Sequence, residues 1–217
     1  MRAMILAAGR GERMRPLTDT LPKPLLTLAG RPIIEHHIMH LANAGIRDII
    51  INHAYLGNLI EQTLGDGSRF NVNITYSPET TALETGGGIF NALSLLGEQP
   101  FVVVNGDIWC DYPFTNMALN SKTLAHLVLV ANPDHNLDGD FSISNSLLSC
   151  SPRTLTYSGI GIYHPDFFND CKAGAFPLAP LLRQAASEHL VSAEYYQGSW
   201  FDIGTPARLT QVNNFLG

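Results

Sequence analysis

Residues 6–25 read Leu6-Ala7-Ala8-Gly9-Arg10-Gly11-Glu12-Arg13-Met14-Arg15-Pro16-Leu17-Thr18-Asp19-Thr20-Leu21-Pro22-Lys23-Pro24-Leu25. The apolar run Ala3–Ala8 leading into this stretch has strand character and ends in Gly9 and Gly11. A glycine-bearing turn after a strand lets backbone N–H groups approach phosphate oxygens closely. Arg10, Arg13, Arg15 and Lys23 follow with fixed positive charge. A nucleoside triphosphate carries about four negative charges, and amides combined with bidentate cations are the groups that hold it. The stretch is not a Walker A loop, because no Gly-Lys-Ser/Thr follows the glycines. Nor is it the dinucleotide fingerprint: Met14 stands where a third small residue is needed, and Pro16 interrupts the helix that fingerprint opens.

The rest of the chain fits an α/β protein built around that first strand. Asp48–Asn52 and Phe101–Asn105 are short, β-branched apolar runs of the kind that form fully buried strands. Asn73–Tyr76, Leu124–Ala131, residues 154–163 and Trp200–Ile203 add further strands. Between them the pattern predicts helices over Pro32–Ala44, with Pro32 in the first turn and Gly45 after the last. Further helices are expected over Leu56–Leu64, from about Gly87 to Leu95, over Leu178–Glu188 and over Pro206–Leu216. Such alternation predicts a Rossmann-like, mostly parallel sheet with helices on both faces. Residues 132–156 are turn-rich and polar, and are expected to form a small β-hairpin insertion lying over the site.

Composition narrows the function. The chain has 217 residues, of which 45% are hydrophobic, enough for one large domain over 1–217. A formal net charge of −6 argues against a nucleic-acid-binding face, so the cations near the N-terminus mark a local anion site. No apolar run reaches the roughly 18 residues of a membrane span, and no leader precedes the first strand, so a cytoplasmic protein without a membrane partner is expected. Cys110, Cys150 and Cys171 are scattered and form no CxxC pair, which suits free thiols in a reducing compartment. His36 and His40 form an i, i+4 pair, but no Glu-x-x-His context accompanies them and no metal is assigned there.

Two aspartates stand where chemistry is expected. Asn105-Gly106-Asp107 follows a buried strand, which delivers Asp107 to the carboxyl edge where open α/β sheets bind ligands. Asp202 ends the strand beginning at Trp200, ahead of Gly204. Two carboxylates together with triphosphate oxygens suit Mg²⁺, a hard cation that prefers oxygen ligands; each aspartate alone could equally be a turn former or helix cap. Leu83-Glu84-Thr85-Gly86-Gly87-Gly88 reads either as a flexible capping turn or as a loop that approaches a ligand. Asp140, after Gly139, is a turn residue or an acceptor for a sugar hydroxyl.

Residues 9–25 resemble the signature of the sugar-phosphate nucleotidylyltransferases, Gly-x-Gly-x-Arg-[Met/Leu]-x-Pro-Leu-Thr-x-x-x-Pro-Lys-Pro-[Leu/Met]. The resemblance implies that amides at Gly11, Glu12 and Arg13 wrap the triphosphate. It makes Arg13 and Lys23 the catalytic cations, Arg13 stabilising departing pyrophosphate and Lys23 bridging the reacting phosphates. It makes Asp107 and Asp202 the Mg²⁺ ligands, from the family's Gly-Asp and Asp-[Ile/Val]-Gly-Thr motifs. Leu83, Gly86, Gly87 and Asn105 fall at nucleotide contacts, and Asn105, Asp140, Ser158 and Gly159 at contacts to the acceptor sugar. Glu84 departs from the pattern, standing where the family has glycine.

Within the family, the stretches Ile51–Gly57, Leu64–Phe70, Leu83–Phe90 and Ala179–Gln184 are most similar to the branch that uridylylates N-acetylmuramate 1-phosphate in peptidoglycan recycling. That likeness implies UTP and N-acetylmuramate 1-phosphate as substrates of a monomeric enzyme. A mannose 1-phosphate guanylyltransferase and a non-catalytic nucleotide-sensing subunit are the rival readings. Arg15, Arg153, Lys172 and Arg183 all stand open as partners for the acceptor's lactyl carboxylate.

Overall fold

The computed structural model describes the backbone of residues 1–217 and every side chain except that of Asn116. In chain order the elements are β1 (Arg2–Leu6), β2 (Thr27–Leu28), β3 (Arg31–Pro32), α1 (Ile33–Asn43), β4 (Asp48–His53), α2 (Gly57–Leu64), β5 (Asn73–Pro78), α3 (Glu84–Leu96), β6 (Phe101–Asn105), β7 (Ile108–Cys110) and β8 (Ala125–Ala131). They continue with β9 (Ser142–Ser144), β10 (Leu147–Ser149), β11 (Leu155–Tyr163), α4 (Leu178–Ser187), β12 (Val191–Tyr195), β13 (Trp200–Asp202) and α5 (Pro206–Leu216). Among the described residues one nine-stranded sheet forms, in the order β5-β4-β1-β6-β11-β8-β12-β10-β9. β5, β4, β1 and β6 run parallel, as do β8 and β12, while β11 and β10 run against their neighbours.

The central strands β1, β6 and β8 are almost wholly apolar because both faces of the sheet are covered there. Successive side chains alternate between the two sides. In β1, Ala3 and Ile5 pack with Ile34, Ile38 and Leu41 of α1 and Ile60 and Leu64 of α2. Met4, between them, packs on the opposite face with Ile89, Ala92 and Leu96 of α3 and Leu182 and Ala186 of α4. Each such side chain, fully buried, is worth about 1.5–3 kcal/mol. A third cluster joins Met14, Leu28, Ile33, Trp109, Ile203, Leu209 and Val212. Met14 is completely buried there, which anchors the loop after β1 to the α5 side of the molecule.

Three expectations are corrected. The 142–149 hairpin does not lie over the site; β10 pairs with β12 and extends the far edge of the sheet. Val191–Tyr195, to which the sequence reading gives no strand, supplies the edge that receives it. α3 begins at Glu84, so the three glycines fall inside its first turns rather than ahead of it. Tertiary contact overrides the weak helix propensity of glycine here: Gly87 N donates to Phe176 O, and Phe176 N to Leu83 O.

α1 buries His37 completely and leaves its Nε2 without a hydrogen-bond partner. Burial, reinforced by neighbouring His40 and His36, pushes its pKa down to about 3. The unfolded chain protonates this ring near pH 6.5 and the folded protein only near 3. Between those values the unfolded state binds more protons, so stability falls as pH drops. His37→Leu should therefore flatten the fall in urea midpoint between pH 6.5 and 4, removing up to about 1.4 kcal/mol per pH unit. An unchanged slope would assign acid sensitivity to other groups, such as His40 and His126, whose pKa values burial also lowers.

Candidate active site

The register of the parallel strands places the site. Leu6 pairs with Asn52 on one side and with Asn105 on the other. The loop after β1 and the Gly106–Asp107 turn after β6 therefore leave the same sheet edge side by side, and Gly106 N donates to Leu6 O at 2.9 Å. A cleft of about 540 Å³ opens at this edge. Its walls include Ala8, Gly9, Gly11, Glu12 and Arg13 of the loop, Lys23, Asn52, Ala82, Glu84 and Thr85, Asn105 and Asp107, and Gly204.

The loop is shaped by its sequence. Gly11 has φ +69°, a left-handed conformation that glycine adopts without a Cβ penalty. A Cβ there would stand 3.0 Å from Thr18 Cγ2 and 3.1 Å from Lys23 Cβ. Thr18 Oγ1 donates to Gly11 O at 2.8 Å, and Met14 N donates to the same oxygen at 2.9 Å. Glu12 and Arg13 thus open a single 3₁₀ turn, the end of a helix whose amides have no intrahelical acceptor. Arg13 is exposed.

Lys23 reaches the cleft from a second short 3₁₀ turn. Pro22 holds extended backbone before it and Pro24 fixes the position after it. The residue is 8% exposed, and its Nζ donates to Asp107 Oδ2 at 2.8 Å. Asp202 is brought beside Asp107 by the β7–β13 ladder: Asp202 pairs with Ile108, and Ile203 N donates to Asp107 O at 2.7 Å. Arg208 Nη1 donates to Asp202 Oδ1, and His135 Nε2 lies 2.9 Å from that oxygen. Both aspartates therefore sit half-buried, each with a cation against it. Among the described residues no group of three or more His, Cys, Asp or Glu side chains gathers at one point. The donors on offer are carboxylate oxygens, which fit a hard divalent cation that takes its other oxygens from substrate and water; the His135 imidazole is already paired with Asp202 Oδ1.

Ser158 and Gly159 are placed by an irregularity in β11. Its register with β8 shifts between Tyr157 and Ile160. Ser158 is buried inside this bulge, where its hydroxyl donates to Val128 O at 2.6 Å and accepts from Ile160 N at 3.1 Å. Gly159 has φ +84°, and a Cβ there would strike the Asn105 side chain at 2.7–2.8 Å. The bulge thus presses bare backbone against Asn105 at the cleft wall. Trp200 Nε1 donates to Ser158 O at 2.8 Å, tying β13 to the same bulge. Asp140 stands at the edge of the same bulge: its Oδ2 accepts from Tyr157 N at 2.9 Å, and its Oδ1 accepts from Asn136 Nδ2 at 3.3 Å.

Leu83, Gly86 and Gly87 do not line the cleft; Ala82, Glu84 and Thr85 represent that segment. Gly86 and Gly87 are buried against residues 174–176, where a Cβ at either would clash with Phe176 or Gly174 O. Glu84 takes φ +59°, which explains why glycine suits this position in the family pattern. Sequence reasoning missed the link that fixes the segment. Asn52 Oδ1 accepts from Ala7 N at 2.9 Å, Asn52 Nδ2 donates to Glu79 Oε1 at 2.7 Å, and Glu79 Oε2 accepts from Leu83 N at 2.8 Å. Asn52 and Glu79 are buried, so this chain ties the phosphate loop to the start of α3. The available signal was a polar residue directly after the apolar run Ile49–Ile51.

The chain is 52% identical to the N-acetylmuramate alpha-1-phosphate uridylyltransferase of Neisseria meningitidis serogroup B, over 100% of this chain and 99% of that protein. It is 33% identical to the protein of the same name from Caulobacter vibrioides, covering 94% of this chain and 92% of the relative. A Bacillus anthracis crystal structure assigned as a glucose-1-phosphate thymidylyltransferase superimposes with a TM-score of 0.88 at 23% identity, over 100% of this chain and 95% of that one. The family model for nucleotidyl transferases matches residues 2–141, which contain the glycine loop after β1, Lys23 and Asp107, and with the whole-chain relatives it shows that this chain belongs to the nucleotidyl transferase family.

Proposed function

We propose that the protein transfers a uridylyl group from UTP to N-acetylmuramate α-1-phosphate, giving UDP-N-acetylmuramate and pyrophosphate. One observation carries the choice of substrates: identity of 52%, sustained over 100% of the chain, with a relative bearing that activity in its name. The cleft supports the reaction class, because the loop after β1, Arg13 and Lys23 line a space open to a triphosphate, and Asn105, backed by the Gly159 backbone, lines it as well.

The reaction is a single in-line displacement. An oxygen of the acceptor phosphate bonds to the α-phosphorus of UTP as the bond from that phosphorus to the bridging oxygen of pyrophosphate breaks. Both reactants are anions, so charge must be neutralised before they meet. Amides at Glu12 and Arg13 hold the triphosphate, and the Arg13 guanidinium takes up charge on the leaving side. Lys23 holds the phosphates that react. Asp107 and Asp202 are the residues to hold Mg²⁺, which when bound supplies further charge stabilisation on phosphate oxygens. Asn105 and the Gly159 backbone orient the acceptor. No side chain acts as nucleophile. Alignment of this kind supplies up to about 7–11 kcal/mol.

The test is pyrophosphate release across the four nucleoside triphosphates against a panel of sugar 1-phosphates. N-acetylmuramate 1-phosphate with UTP should exceed N-acetylglucosamine, glucose and mannose 1-phosphates by roughly ten- to a hundredfold in kcat/KM. Release should stop when a chelator removes divalent cations. Equal or better turnover of mannose 1-phosphate with GTP would overturn the substrate assignment. Binding of nucleotide without release of pyrophosphate would favour a sensing subunit.

A further inference from the structure

The corner where β13 meets α5 holds an organised carboxylate-binding group. Arg208, in the first turn of α5, folds back so that its Nη1 bonds Asp202 Oδ1 and its Nε stands 3.5 Å from Thr205 Oγ1. His135 Nε2 lies 3.0 Å from the same Nη1. A Cβ on Gly204 would stand 2.9 Å from Arg208 Nη2, so only a glycine separates that nitrogen from the cleft that Gly204 lines. Among the described residues Nη2 has no hydrogen-bond partner. A guanidinium presents five N–H donors in a planar fork that matches a carboxylate, and here part of the fork is unused.

The position is on the acceptor side. Asp202 lies two residues beyond Trp200, which is bonded to the β11 bulge that presses on Asn105. The other cations are placed differently. Lys23 is bonded to Asp107, Arg13 lies in the phosphate loop, and Arg15 pairs with Asp19 at 3.1 Å. Neither Arg208 nor Arg153, Lys172 or Arg183 lines the cleft directly, but Arg208 stands against Gly204, which does.

We propose that Arg208, with His135 beside it, recognises the carboxylate of an acidic sugar 1-phosphate and so sets acceptor specificity. The inference rests on the acceptor being the one named above, whose lactyl group carries that charge. A site built to pair a carboxylate rejects an analogue lacking it, because its own donors are then left unpaired.

The test compares acid and neutral acceptors on Arg208→Gln. In wild type, N-acetylmuramate 1-phosphate should exceed N-acetylglucosamine 1-phosphate by at least about tenfold in kcat/KM. In the variant that ratio should collapse to within about twofold, whatever fall both substrates share from the change beside Asp202. Arg208→Lys should restore part of the ratio, since it keeps charge but not the fork. Calorimetric binding of the two sugar phosphates to the protein without metal or nucleotide should show the same collapse. On wild type, the methyl ester of the lactyl acid should bind like the neutral sugar, which gives a result even if the variants fold poorly. An equal fall for both acceptors with the ratio intact would make Arg208 only a positioning residue for Asp202 and overturn the proposal. So would an ester that binds as well as the acid. A wild-type enzyme that ignores N-acetylmuramate 1-phosphate would instead overturn the proposed function.

Discussion

Asp107→Asn should leave a folded protein whose kcat/KM falls by about a hundredfold or more, and Asp202→Asn should do the same. Asparagine preserves the shape of each side chain. The backbone bonds that build the corner, Gly106 N to Leu6 O and Ile203 N to Asp107 O, do not involve the carboxylates. The Lys23–Asp107 pair is 45% exposed on the aspartate side but only 9% on the lysine side, so losing its charge costs more than the roughly 0–1 kcal/mol of a surface pair, offset in part because the asparagine oxygen can still accept from Lys23 Nζ. What disappears is negative charge at the two proposed oxygen donors, whose residues the β7–β13 ladder brings close together. Thermal unfolding should therefore shift only modestly while turnover collapses and the Mg²⁺ concentration for half-maximal rate rises. If either variant kept near-normal activity in millimolar Mg²⁺, that residue would not be a metal ligand.

How much of this was legible in the sequence depends on whether a feature is local. Gly11, Arg13 and Lys23 lie within one short stretch, so the phosphate chemistry proposed for them needs no knowledge of where the strands pair. Asp107 is legible because Phe101–Asn105 can only be a buried strand, and a residue just past its end emerges at the sheet edge. Asp202 is legible as a strand end, but its partners are not. Arg208 lies six residues along in a helix and His135 in a distant loop, and only the tertiary fold brings them onto one carboxylate oxygen. The 142–149 hairpin shows the same limit. Its turn residues predict two short paired strands, but the edge they join is set by Val191–Tyr195, whose Ser, Ala and Glu give a weak strand signal. Gly86 and Gly87 invite a ligand-approach reading because glycine is permissive; here close approach of residues 174–176 accounts for them. His37, read as one of several helix histidines, is set apart by burial that no spacing rule announces.

Lys23→Ala should lower kcat by about a hundredfold while raising the KM for UTP only a few-fold. The asymmetry follows from where the charge is held. Lys23 is nearly buried, its stem lies against Gly11 of the phosphate loop, and the flanking prolines leave its backbone little freedom. Its ammonium group therefore needs little reorganisation to meet phosphate oxygens. In the proposed reaction, ground-state UTP already has the loop amides and Arg13. Lys23 adds most when two anionic phosphates are forced together, which happens only in the transition state. Lys23→Arg should rescue poorly, because the wider guanidinium must enter a slot bounded by Gly11, Thr18 and Asp107. Steady-state kinetics with both substrates varied, beside equilibrium UTP binding to the variant, separates the two effects. An unchanged kcat with a raised KM alone would make Lys23 a ground-state anchor for the nucleotide and shift the burden of charge neutralisation to Arg13 and the metal site.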